Sequence, residues 1–204
     1  DMLHFVDTTP VGNWLGGALR ETTASGNGDL ALALALPLAA PSHGSFGGSL
    51  QLAGNDLSLR HELPLLAAAR GRVDFTGKGL TLAGASARVL GGETAIEGGS
   101  QPDGSLRFVA RGSMSAEAMR RAPELGPLAQ LAGALSGQTG YRLSFALRRG
   151  LPEVELTSDL VGLGSDLPAP LQKSAAAVLP PHWQTTLAPG ASGGPLDTLR
   201  FELG

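Results

Sequence analysis

Hydrophobic and polar positions alternate along most of this chain. In "DLALALALPL" (29–38), Leu30, Leu32, Leu34, Leu36 and Leu38 alternate with Ala31, Ala33 and Ala35. A helix turns about 100° per residue and would scatter these leucines around its axis. A strand sends every second residue to the same side, so all of them share one face. Gly26 and Gly28 before the run and Pro37 inside it suit a strand and would cut a helix short. The run is also about half of the roughly 20 apolar residues that a membrane helix needs. It predicts a strand with Leu on one face and Ala on the other, the small side leaving room for a close neighbour.

The same period of two returns in "SLQLAG" (49–54), "DLSLRH" (56–61), "GRVDFT" (71–76), "GLTLAG" (79–84) and "SARVLGG" (86–92). It continues in "TAIEG" (94–98), "SLRFVARG" (105–112), "YRLSFALRRG" (141–150), "EVELTSDL" (153–160) and "TLRFELG" (198–204). Hairpin signals stand between them: Gly77-Lys78-Gly79, Gly91-Gly92, and Gln101-Pro102-Asp103-Gly104. Short strands joined by tight turns predict an antiparallel meander. Three helices fit the remaining pattern, at about 10–20 after Thr9-Pro10, at 115–122 capped by Ser115, and at 127–136 opened by Pro127. The third carries Leu128, Leu131, Ala132 and Leu135 at helical spacing. Residues 170–181 fit either a helix or an apolar loop. The expected fold is mainly β: a large, curved, groove-like antiparallel sheet with two to four short helices.

The strands have two unlike faces. Tyr141, Leu143, Phe145 and Leu147 oppose Arg142, Ser144 and Arg148; Leu106, Phe108 and Ala110 oppose Arg107, Val109 and Arg111; Val73 and Phe75 oppose Arg72 and Asp74. Such a sheet either closes on helices around an ordinary core or curves into a groove whose apolar side stays open. The predicted helices are too few and short to cover so many strands, which favours the groove. The residues expected on its apolar inner face are Leu32, Leu34 and Leu36, then Leu50 and Leu52, then Val73 and Phe75. Leu106, Phe108, Leu143 and Phe145 complete the set.

Composition narrows the function. The 204 residues suffice for a sizeable core, and a net charge of −3 with 16% charged residues leaves no basic footprint for nucleic acid. The absence of cysteine excludes disulfides and zinc-thiolate sites. No signal peptide or transmembrane run stands in it, and it opens at Asp1 in mid-pattern, as expected of a piece of something longer.

Catalytic and cofactor motifs fail on context. Gly190-Ala191-Ser192-Gly193-Gly194 matches the nucleophile-elbow spacing but lacks a strand before it and a helix after it. Gly26-Asn27-Gly28 leads into a strand, where a dinucleotide loop opens a helix. His4, His43, His61 and His182 are isolated, and Asp159 and Asp166 have no companion base or nucleophile. The glycine pairs Gly12/Gly16 and Gly133/Gly137 lack the apolar 20-mer of a membrane dimer. No catalytic residue, metal site or cofactor is expected.

Several stretches resemble the large AsmA-like proteins of Gram-negative bacteria, specifically the YhdP branch. "SDLVGLGSDLPAPLQKSAAAVLP" (158–180) is similar to a recurrent pattern of that family. "FVDTTPVGNWLGGALRETTASGNGDLALALALPL" (5–38) resembles its short helix followed by a Leu-alternating strand. "GRVDFTGKGLTLAGASARVLGGETAIEG" (71–98) and "LSGQTGYRLSFALRRGLPEVEL" (135–156) resemble its strand units. The resemblance implies a fragment, 1–204, of a longer repeated β-groove protein, divisible at 1–112 and 113–204. It implies a periplasmic location, as part of a protein anchored in the inner membrane by a helix outside this sequence. The implied role is non-enzymatic: phospholipid acyl chains held or conducted along the groove between inner and outer membrane. Phospholipid, flanking repeats of the same chain and edge-strand self-association are the implied partners. Two other readings compete: a structural β-domain (spacer or adhesin-like) with a sealed core and no ligand, and a hydrolase built on Ser192.

Overall fold

A computed structural model describes residues 22–35, 45–59, 63–148, 151–189 and 195–204. Twelve strands account for most of them: β1 (Thr23–Ala24), β2 (Gly28–Ala35), β3 (Ser45–Ser58), β4 (Leu66–Thr76), β5 (Gly79–Val89) and β6 (Gly91–Ser100). Then follow β7 (Leu106–Ser115), β8 (Leu135–Arg148), β9 (Leu151–Thr157), β10 (Leu163–Ser165), β11 (Pro181–Pro189) and β12 (Pro195–Leu203). Two five-residue helices, α1 (Ala116–Arg120) and α2 (Pro127–Leu131), lie between β7 and β8, with short 3-10 turns at 123–125 and 132–134. The predicted helix at 10–20 lies outside the described residues.

All twelve strands form one open antiparallel sheet in the order β3-β4-β5-β6-β7-β8-β9-β11-β12. β1 and β2 share the outer side of β3, and β10 lies beside β8 beyond the end of β9. Consecutive strands pair with each other except β1 and β2, which both pair with β3, and β10, which residues 158–180, between β9 and β11 in sequence, carry to the far end of β8. The mainly β, antiparallel architecture is the one that the alternation predicts.

The turns follow from their residues. Gly77-Lys78 closes β4 onto β5, with Thr76 opposite Gly79. Leu90 and Gly91, both at positive φ, join β5 to β6 in two residues. Gln101 O accepts from Gly104 N at 3.0 Å, and Gly104 at φ 78 completes the turn that Pro-Asp-Gly announces. Ser115 caps α1 as expected, its Oγ accepting from Ala118 N.

Some boundaries differ from the sequence expectation. Residues 49–54 and 56–58 are parts of one strand, β3, and 79–84 and 86–92 fall largely within one strand, β5. The glycines that looked like breaks are bulges: the register shifts between Leu82 and Ala85, beside Gly84 at φ 58. The helix expected over 127–136 ends at Leu131, and Leu135 already belongs to β8. Leu128 and Leu131 are exposed, and only Ala132 of that stripe is buried. Of residues 170–181, 170–180 adopt turns, irregular backbone and a single bridge between Ser165 and Lys173, and Pro181 opens β11.

Two apolar clusters mark the interior. Phe75, Leu80 and Leu106 pack with Leu30, Phe46, Phe108 and Leu147; Ala69, Ala87 and Val89 pack with Leu52, Leu57, Leu66, Leu90 and Ile96. Leu80 on β5 and Leu106 on β7 belong to one cluster although β6 separates their strands. Leu106, 4% exposed, stands opposite the small Ser100 of β6, over which it reaches the Leu80 cluster.

Candidate functional site

Side chains directly opposite one another in an antiparallel pair share a face. The register therefore traces the faces residue by residue. One row runs Leu30, Leu50, Val73, Leu82, Gly98, Phe108, Phe145, Val154 and Thr185 from β2 to β11. A second, on the same face, runs Ala85, Ile96, Ala110, Leu143, Leu156, Trp183 and Phe201. One residue out of step, the opposite face reads Ala31, Ser49, Asp74, Thr81, Gly99, Arg107, Ala146 and Glu153. One face is apolar across the width of the sheet, and the other is polar.

Leu32, Leu34, Leu50, Leu52, Val73, Phe75, Leu106, Phe108, Leu143 and Phe145 all belong to the apolar face by register. Leu36 lies outside the described residues. Exposure grades along this face. Leu106, Phe75 and Leu80 are buried in the bend, and the Phe108 and Phe145 rings meet at 6.4 Å between centroids. Towards β2 the face opens, with Leu34 68% exposed, and at β12 Phe201 is 60% exposed. Ala31 and Ala33, on the polar side of β2, are exposed too. The face also includes residues absent from the sequence-derived set. Leu80 and Leu82 follow the same alternation and were legible; Trp183 was not, because Pro181 and Pro189 disguise β11.

Close packing on this face depends on side chains that are missing. A Cβ at Gly48 would stand 2.7 Å from Phe75 Cζ, so the ring lies across the bare backbone of β3. Gly112 does the same for a polar contact. It stands opposite Thr94 on one side and Tyr141 on the other. The two hydroxyls meet at 2.7 Å over it, joining β6 to β8 across β7. A Cβ at Gly112 would lie 2.9 Å from Thr94 Cβ. Thr94 is 1% exposed, and burial pushes the Tyr141 phenol above its ordinary range, a rise that the Thr94 hydrogen bond partly offsets. Thr185 Oγ1, buried on the same face, has no hydrogen-bond partner.

The polar face is held by ion pairs. Arg72 meets Asp74 at 2.7 Å, Arg111 meets Glu97 at 2.5 Å, and His182 stands 3.0 Å from Glu155 and 3.8 Å from Glu202. Hydrogen bonding from Arg200, with a smaller contribution from His182, lowers the Glu202 carboxyl below the usual carboxylate range. These pairs are exposed and contribute little stability each; their effect is to keep this face wet.

Among the described residues no group of three or more His, Asp or Glu stands ready for a metal. His182 is in the ion-pair network, Asp159 accepts from Val161 N at 2.9 Å, and Asp166 N is bonded to Ala134 O. Ser192, His4, His43 and His61 lie outside the described residues. No helix among the described residues is long and apolar enough to cross a membrane.

A single open sheet, apolar on one curved side and charged on the other, defines a scaffold that offers a long hydrophobic surface. The family model described as YhdP protein matches residues 1–204, and the chain belongs to the YhdP family. No curated protein and no solved structure matches it.

Proposed function

We propose that this chain is a non-enzymatic segment of a bridge-like lipid-transport protein, whose apolar face holds phospholipid acyl chains on their way between inner and outer membrane. One observation carries the reading: the row of apolar side chains from Leu30 to Val154, interrupted only at Gly98, exposed towards β2 and unmatched by a second sheet among the described residues. Exposed apolar surface of this extent marks a place where something apolar docks. Membership of the YhdP family, a lipid-transport family rather than a family of enzymes, supports it, as it supports a periplasmic, inner-membrane-anchored protein. Each buried methylene contributes about 0.8 kcal/mol, so an acyl chain needs no hydrogen bonds to be retained.

The test is photo-crosslinking in cells. A crosslinking residue at Leu34 or Phe108 is expected to capture phospholipid, and one at Arg107 or Gln51 on the polar face is not. Phe108→Asp places a charge where an acyl chain must lie, a cost of several kcal/mol, and capture from Leu34 should then fall sharply. Equal capture from both faces, or none from either, leaves a purely structural domain as the answer.

A further inference from the structure

The free side of β12 can be read group by group. Gly204 N donates to Pro180 O at 3.1 Å, and from there β12 pairs with β11 one residue for one, from Leu203 opposite Pro181 to Pro195 opposite Pro189. Along an antiparallel strand, successive residues turn their backbone groups to alternate sides. Glu202 and Arg200 therefore turn theirs to β11, as Gly204 does, and Leu203, Phe201 and Leu199 turn theirs to the open edge. Pro195 belongs to the outward set and has no N–H to offer, so the half of the edge best able to pair is 199–203.

The side chains of this half are patterned too. Arg200 and Glu202 lie on the polar face, paired with each other, and their side chains are 68% and 50% exposed. Phe201 lies on the apolar face beside Trp183 and is largely exposed. Such an edge fits a second copy of itself. Set antiparallel about Phe201, two of these strands bring Phe201 opposite Phe201 and Leu199 opposite Leu203, so every outward N–H of 199–203 meets an outward C=O. Arg200 of each copy then falls opposite Glu202 of the other. These are the non-hydrogen-bonded positions, where facing side chains stand closest. Since Arg200 and Glu202 are already paired along their own strand, the four charges alternate in sign around a square. The smallest slip that keeps the faces would set Arg200 against Arg200 in one direction and Glu202 against Glu202 in the other. Charge thus selects one register.

We propose that the β12 edge is a self-complementary interface that joins two copies of this chain, through residues 199–203, into a two-fold dimer. Each copy presents the same strand to the other, so both edges are covered and association through them stops at two. The dimer also sets the Trp183–Phe201 ends of the two apolar faces side by side, on the same side of one continuous sheet. The interface does not depend on what the apolar face holds.

The test is sedimentation equilibrium of the full chain and two charge variants. Arg200→Glu and Glu202→Arg each set like charges opposite one another at both symmetric positions, and each alone is expected to weaken dimerisation about tenfold. Mixed in equal amounts, the two variants set opposite charges across the edge again, and the affinity of the parent should return in a heterodimer. Far-ultraviolet circular dichroism of each variant should match the parent, because both side chains stand in solvent. A parent that stays monomeric or grows beyond dimers would overturn the two-fold edge. So would variants that associate as readily as the parent, or a mixture of folded variants that recovers nothing.

Discussion

Tyr141 is the only tyrosine in the chain, and its hydroxyl reports on the curl of the sheet from inside. Burial favours the neutral phenol, so its ionisation is displaced above the ordinary value of about 10. The sign of the linked stability follows. The folded state holds this proton more tightly than the unfolded state, so the contribution is present below the unfolded value and is lost as pH rises through the folded one. An absorbance titration of phenolate formation should therefore show a midpoint above that of the denatured chain. Thr94→Val removes the hydrogen bond that eases ionisation and should raise the midpoint further. A native midpoint equal to the denatured one would mean that the Tyr141 hydroxyl is not buried, and a midpoint unmoved by Thr94→Val would mean that the two hydroxyls do not meet over Gly112.

At the scale of elements, alternation was enough to predict strands, hairpins and faces, because period two is a local property that pairing then repeats from strand to strand. Bulges escaped it. Gly84 and the Gly54-Asn55 pair look like turns in sequence, but each sits inside a long strand, where an extra residue sharpens the bend. Asn55 is tied in by its side chain, donating to Ser25 O and Asn27 O and accepting from Ala53 N. The helix at 127–136 failed for the opposite reason: its helical spacing continues past Leu131, but β8 claims Leu135 for pairing with Ser165. Ser158 and Asp159 read in sequence as the end of a strand (153–160) and as part of a family-like pattern; the turn they form escaped because Gly140, whose carbonyl accepts from Ser158, is distant in sequence.

That pattern has a structural basis, centred on Lys173. Its Nζ donates to Leu160 O at 2.8 Å and to Leu163 O at 2.5 Å, and its backbone exchanges hydrogen bonds with Ser165. One side chain thus holds the returning segment to β10. Lys173→Met keeps the aliphatic stem and abandons both carbonyls, costing about 2–3 kcal/mol locally. Hydrogen exchange should quicken at Gly162 and Ser165, whose amides donate to Ala175 O and Lys173 O, while β4 to β6 stay protected. Uniform loss of protection would instead make Lys173 part of the global core.

For the whole molecule, the described sheet has end strands that pair on one side only. β12 hydrogen-bonds only to β11, and β2 only to β3, among the described residues. An open edge is a template for another chain. Here each edge strand also brings exposed apolar side chains of the same face, Leu32 and Leu34 on β2 and Phe201 on β12. Joining two edges would therefore add backbone hydrogen bonds and extend the apolar surface in one step. Flanking β units would meet these edges in the same way. The isolated chain is expected to associate as its concentration rises, as measured by sedimentation equilibrium. Phe201→Lys sets a charge on the apolar side of the edge and should shift that association to higher concentration without altering the fold, since Phe201 is largely exposed. A chain that stays monomeric, or a variant that associates as readily as its parent, would show that these edges are protected, and continuation of the sheet would then need a different junction.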